Sequence, residues 1–180
     1  MSEQLSARPT PTARVVFDTF RSTTDPMLVA WFAFRARVLP QAVPPAPPTL
    51  RPSDGPTTDG VFGVWRLLAT NNRELGRGSV LHPSPERAWA DAETVSARAG
   101  ELTAMVMRGP LSMRHGWALR LADHPVLICS RWYESPGEAA AAARAARDNL
   151  ARASIVRSVN IGTRSGRRHR QAPASLRVDD

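Results

Sequence analysis

The chain has 180 residues, enough for one ordinary domain with tails or two small ones. Its 24 basic residues, all arginine, outnumber 16 acidic ones and give a net charge of +8, which favours acidic partners such as nucleic acid. A single cysteine, Cys129, excludes an intrachain disulfide framework, and the longest apolar run, Met27 to Phe34, is far too short to span a membrane.

Arginine in place of lysine, with abundant alanine and proline, also reads as the composition of a high-GC bacterial genome, in which basic charge serves solubility. The polar, proline-rich start is not a signal peptide, and the lone cysteine suits a reducing cytoplasm, so a cytoplasmic protein is expected. Residues 1–13 are expected to be disordered. Residues 14–39 form an N-terminal extension. Arg14 to Phe20 reads as a strand, with Val16 and Phe17 in a β-favouring run. Residues 27–39 carry two signals. Asp25-Pro26 suits a helix start, as N-cap and first helical residue. Phe32, Phe34, Ala36 and Val38 alternate with Ala33, Arg35 and Arg37, which is strand periodicity and favours a hairpin over 14–39 that extends the sheet. Residues 40–60 hold seven prolines and read as a stiff spacer, with recognition by a proline-binding domain as the other use.

The next hundred residues repeat themselves. WRLLATNNRELGRGSVLHPSPERAWADAETVSARA begins at Trp65, and WALRLADHPVLICSRWYESPGEAAAAARAARDNLARA begins at Trp117. Trp65, Leu67 and Leu75 fall on Trp117, Leu119 and Leu127 at an offset of 52; Ser84-Pro85 falls on Ser135-Pro136 at 51. Two copies are too few for a solenoid and predict a closed pseudo-two-fold pair. Each reads as strand, return strand, helix and last strand. Asn71-Asn72-Arg73 and Asp123-His124-Pro125 supply the turns. The return strands are Glu74 to Leu81 and Val126 to Glu134. Ser84 and Ser135 are N-caps with proline at the first helical position. Ala88, Ala92, Val95 and Ala99 make one apolar stripe, and Ala139, Ala143, Ala146 and Leu150 the other. The last strands cover 103–108 and 154–160.

The order of aromatic, Leu, Ala, Asn turn, second strand, serine-led helix start and alanine-rich helix, carried most closely by WRLLATNNRELGR, resembles the YegP-like domain family of small, uncharacterised bacterial and archaeal proteins. The resemblance covers residues 61–161. It implies an α+β fold: two tandem ββαβ repeats forming one antiparallel sheet, two helices packed on one face, and last strands exchanged between repeats. With both repeats in one chain, a monomer suffices. The resemblance brings no reaction or catalytic residue.

Few residues point to chemistry on their own. His82, His115, His124 and His169 lack metal-ligand spacing with Cys or one another, so neither metal nor cofactor is expected. A Cys129–His124 pair lacks an orienting third group. Glu74 and Glu134 occupy non-equivalent places and read as surface charges. Gly76-Arg77-Gly78-Ser79 is not a phosphate loop, lacking the lysine and the following helix, and reads as a strand bulge. Trp65 and Trp117 read as core; Trp89 and Trp132-Tyr133 read as packing or, alternatively, as a binding surface. Residues 162–180 carry five arginines and two acids and read as a disordered basic tail. Arg164, Arg167, Arg168 and Arg170 are its candidate nucleic-acid contacts. The expected function is a non-enzymatic binding module whose partner, protein or nucleic acid, is unknown, with nucleic-acid association through the arginine-rich tail as the alternative.

Overall fold

The computed structural model describes residues 12–40, 62–110 and 113–161, with side chains described as far as Arg157. The expected disorder of 1–13 for the most part, the spacer of 40–60 and the basic tail fall outside these residues. The fold is mixed α+β, with one seven-stranded sheet and three helices. The elements in chain order are β1 (Arg14–Phe20), α1 (Pro26–Val38), β2 (Phe62–Leu68), β3 (Glu74–Gly78), α2 (Pro85–Ala97), β4 (Thr103–Arg108), β5 (His115–Leu121), β6 (His124–Cys129), α3 (Pro136–Leu150) and β7 (Ser154–Ile161). The strand order is β4-β5-β6-β3-β2-β1-β7.

Local chemistry sets the helix starts. Ser84 Oγ accepts from the Arg87 N–H and Ser135 Oγ from the Glu138 N–H, satisfying donors that the helix cannot satisfy itself. Pro85 and Pro136 follow at the first helical position. Ala88, Ala92 and Val95 of α2, and Ala139, Ala143, Ala146 and Leu150 of α3, are buried as the stripes predicted.

The second segment is a helix, not the second strand of a hairpin. Asp25 caps α1 by accepting from the Met27 N–H at 2.9 Å, and Pro26 takes the first position. The buried residues are Leu28, Trp31, Arg35 and Val38, spaced by three, four and three. That is one helical face, and it overrides the strand-like alternation of Phe32 to Val38.

Alternation along β2 places the helices. Gly63 faces Ala88 of α2, and Trp65 bonds to Asp91 of α2, whereas Phe62 and Val64 pack with Leu28 and Trp31 of α1. Successive strand residues point to opposite faces, so α1 covers the face opposite α2. Ser96 Oγ donates to the Leu150 carbonyl at 3.0 Å, setting α3 beside α2. Two helices do share one face, and a third lies on the other.

The sheet is also not wholly antiparallel. β1 pairs with β2 antiparallel and with β7 parallel, so it lies between them instead of extending the edge. The second hairpin turns one residue earlier than Asp123-His124-Pro125. Leu121 pairs with His124, leaving Ala122-Asp123 as a two-residue turn with Ala122 at φ 52°. The return strands are shorter than expected, ending at Gly78 and Cys129.

Two outcomes follow. Trp117 is fully buried, so Trp117→Ala should cost about 3–5 kcal/mol in urea unfolding, the range for aromatic core truncation. Ala122→Gly should raise stability by about 0.5–1 kcal/mol, because glycine holds a positive φ without Cβ strain; an unchanged or lower urea midpoint contradicts the turn geometry.

Candidate functional site

β3 passes beneath two indoles. A Cβ on Gly78 would lie 2.7 Å from Trp65 Nε1, and one on Gly76 would lie 3.0 Å from the Trp117 ring and 2.8 Å from the Ile128 carbonyl oxygen. The two glycines make room for large side chains arriving from β2 and β5. A bulge is present nearby, but it falls between the Leu67–Gly76 and Leu68–Glu74 pairs. The other glycine role, close approach of a neighbour, explains Gly76 and Gly78.

Trp65 Nε1 donates to Asp91 Oδ2 at 2.7 Å, and His82 Nε2 lies 3.2 Å from the same oxygen. A strand, a loop and a helix therefore meet at one carboxylate. Trp65 is fully buried, so its N–H needs an acceptor. Sequence reading missed Asp91, whose partner is 26 positions away in the chain. Trp117 Nε1 is buried without a partner among the described residues.

On the α1 face, Arg66 stands between two acids. Its Nη2 donates to Asp18 Oδ1 at 3.0 Å, its Nε is 2.6 Å from Asp18 Oδ2 in a poorly aligned charge contact, and its Nη1 is 3.3 Å from Glu74 Oε2. Burial works against the Arg66 charge, but Asp18 and Glu74 outweigh it and hold its pKa above the ordinary arginine value. Arg77 also pairs with Glu74. Glu74 is therefore a half-buried bridge between two guanidiniums and not a plain surface charge, whereas Glu134 lies exposed beside Arg114. Asp18, Trp31, Arg66 and Arg77 border a groove of about 10 Å³, room for about one water.

The remaining candidates are spread apart. Cys129 is fully buried and contacts the Trp117 N–H; burial pushes its thiol up to about 11, so it stays protonated at neutral pH and is no nucleophile. His124 opens β6 and Cys129 ends it, so the pair is not assembled. His115 binds Tyr133 through backbone bonds. Trp89 packs edge-on against Phe17 with Arg157 over its ring, and Trp132 packs on Phe34 of α1. Among the described residues no three His, Cys, Asp or Glu side chains gather where a metal would sit. Arg164, Arg167, Arg168, Arg170 and His169 lie outside the described residues. No helix among the described residues is long and apolar enough to cross a membrane.

Asp91→Ala leaves the Trp65 N–H buried and unpaired and should cost about 1–3 kcal/mol in chemical unfolding. Cys129 gives a pH dependence. Its folded pKa lies above the unfolded value, so the native state holds the proton more tightly. The resulting stability is complete below about pH 8.5 and is lost as pH rises toward 11. Cys129→Ala should flatten the decline between pH 9 and 11, measured by urea midpoints.

No family model matches the chain, and no curated protein matches it. Among solved structures, it is similar to the solution NMR structure of YegP from E. coli, a protein of unknown function. The identity is 14%, the match covers 56% of this chain and 84% of that one, and the TM-score is 0.40.

Proposed function

We propose that the chain is a non-enzymatic binding protein whose residues 61–161 are two copies of one strand–strand–helix–strand unit of YegP-like type, related by a pseudo-two-fold. Several pairs of local features support the duplication. The isolated bridges Gly63–His82 and His115–Tyr133 stand at matching places in the two copies. Ser84-Pro85 and Ser135-Pro136 cap both helices in the same way. Leu67 pairs with Gly76 as Leu119 pairs with Leu127, so Gly76 and not Leu75 takes the place of Leu127, and the residue missing from the second copy is lost in its hairpin turn. On this alignment Ala142 takes the place of Asp91, which accounts for the unpaired Trp117 N–H.

The observation that carries the binding reading is how the reactive groups are employed. Cys129 is buried and protonated, Asp91 is bound to Trp65, Glu74 bridges two arginines, and Ser79 Oγ donates to the Pro125 carbonyl. Each holds neighbouring elements together. A protein partner is expected. It should be captured by the immobilised full-length chain and bind saturably, once purified, in calorimetry. Turnover of a small molecule by the pure chain overturns this reading.

The second reading, nucleic-acid association, is favoured by a net +3 within residues 162–180. Arg164, Arg167, Arg168 and Arg170 would contact phosphates, giving affinity without sequence preference. Anisotropy with random-sequence DNA and RNA should show binding that weakens with salt. Deleting 162–180 should reduce the salt slope by up to about four units, near one per phosphate contact. Full-length protein that fails to bind at low salt removes nucleic acid as a partner.

A further inference from the structure

We infer that β1 and α1 form a displaceable cover, and that when β1 leaves its slot β7 closes directly onto β2. The strand directions permit it. β1 runs antiparallel to β2 and parallel to β7, so β7 already runs antiparallel to β2. At the opposite end of the sheet β4 pairs directly with β5, in unbroken antiparallel register from Thr103–Arg120 to Arg108–His115. β7 against β1 instead shows a register shift between Val15 and Phe17. The intercalated strand therefore fits its outer neighbour less regularly than β4 fits β5.

The docking of α1 buries one unpaired donor and one cation without a counter-charge among the described residues. Trp31 is 3% exposed, yet its Nε1 has no partner among the described residues. Arg35 is 7% exposed, and its Nε donates to the Ser79 carbonyl at 2.6 Å; no carboxylate among the described residues pairs with it. Burial lowers its pKa, the direction expected for a cation without a counter-charge. Both groups regain water when α1 lifts, which reduces the cost of opening. α1 packs through Leu28 and Trp31 on a smaller core cluster with Phe20, Phe62, Val64 and Leu81, while Val38 of α1 and Val15 and Phe17 of β1 reach the main core. Lifting the cover bares Phe62, Val64 and Leu81 on one face and withdraws Val15 and Phe17 from the main core on the other, a gap that β7 narrows by closing onto β2. A cooperative unit that opens below the global transition is the physical form of such a device.

Arg14 pairs with both Leu68 and Ser154, so these two lie on either side of β1. With β1 in place they are two strand spacings apart, roughly 9.5 Å. That exceeds the span of about 7 Å that a disulfide bridges. In full-length protein, Leu68→Cys with Ser154→Cys should crosslink under mild oxidation, read by mass spectrometry of the digest. It should do so faster than the β5 and β6 amides exchange by global unfolding. Leu28→Ala loosens only the cover and should speed crosslinking at least about tenfold while β5 and β6 protection holds. Arg14→Cys with Leu68→Cys, adjacent in the closed form, should crosslink promptly. Crosslinking of the 68–154 pair that is absent, or no faster than global exchange, overturns the proposal. So does a Leu28→Ala effect matched by equal loss of β5 and β6 protection.

Discussion

The sheet is assembled around two indoles lying over a glycine strand. Trp65 from β2 covers Gly78, Trp117 from β5 covers Gly76, and α2 and α3 close over both. β3, five residues with two glycines, lies at the centre of the strand order and joins the two halves of the sheet through β6. Any side chain on its helix-facing side would displace an aromatic ring worth several kcal/mol of burial. The alanine stripes of α2 and α3 are the matching constraint above: the helices must approach closely because the bulky residues come from the sheet. Asp91 then fixes the orientation of one indole, and His82 is drawn in beside it.

The other face follows different rules. There the sheet is polar at Asp18, Arg66, Glu74 and Arg77 and apolar at Phe62 and Val64, and α1 covers the apolar part. β1 serves both faces. Val15 and Phe17 enter the main core, while Asp18 neutralises Arg66 on the α1 side. This double duty explains why β1 sits inside the sheet and not at its rim. A strand at the rim buries fewer side chains on both faces than one with neighbours on either side. It also makes the two ends of the sheet unlike, with β4 next to β5 at one and β1 between β2 and β7 at the other.

Features encoded by neighbours in the chain were legible in the sequence. Ser84-Pro85, Ser135-Pro136, the alanine stripes and the last strand at 103–108 need only local chemistry, and the structure has them. α1 was half legible: its cap was visible at Asp25-Pro26, but the aromatic alternation of Phe32 and Phe34 pointed the other way, and tertiary burial of Leu28 and Trp31 decided it. The place of β1 was not legible, since strand order depends on which distant edge offers the larger burial. Gly76 and Gly78 could be read as special, but their purpose depends on rings contributed by other strands. Asp91 carries no local signal in the sequence, because the Trp65 N–H it accepts lies 26 positions away. The resemblance of WRLLATNNRELGR to the YegP-like family foresaw one shared sheet with helices against it and did not extend to β1 and α1.

The account turns on the fit of the indoles over β3, and one set of glycine substitutions tests it directly. Gly76→Ala and Gly78→Ala should each cost about 1–3 kcal/mol, the usual range for overpacking, and each should lower a single cooperative unfolding transition. Gly100→Ala is the control: a Cβ there meets nothing within 4 Å, and stability should be unchanged or slightly higher. Urea unfolding followed by tryptophan fluorescence and by far-UV circular dichroism reads all three. Coincident transitions, lowered for Gly76→Ala and Gly78→Ala and preserved for Gly100→Ala, are expected. Midpoints for the first two that match the parent chain would show that the two halves are not joined through the tryptophan–glycine contacts.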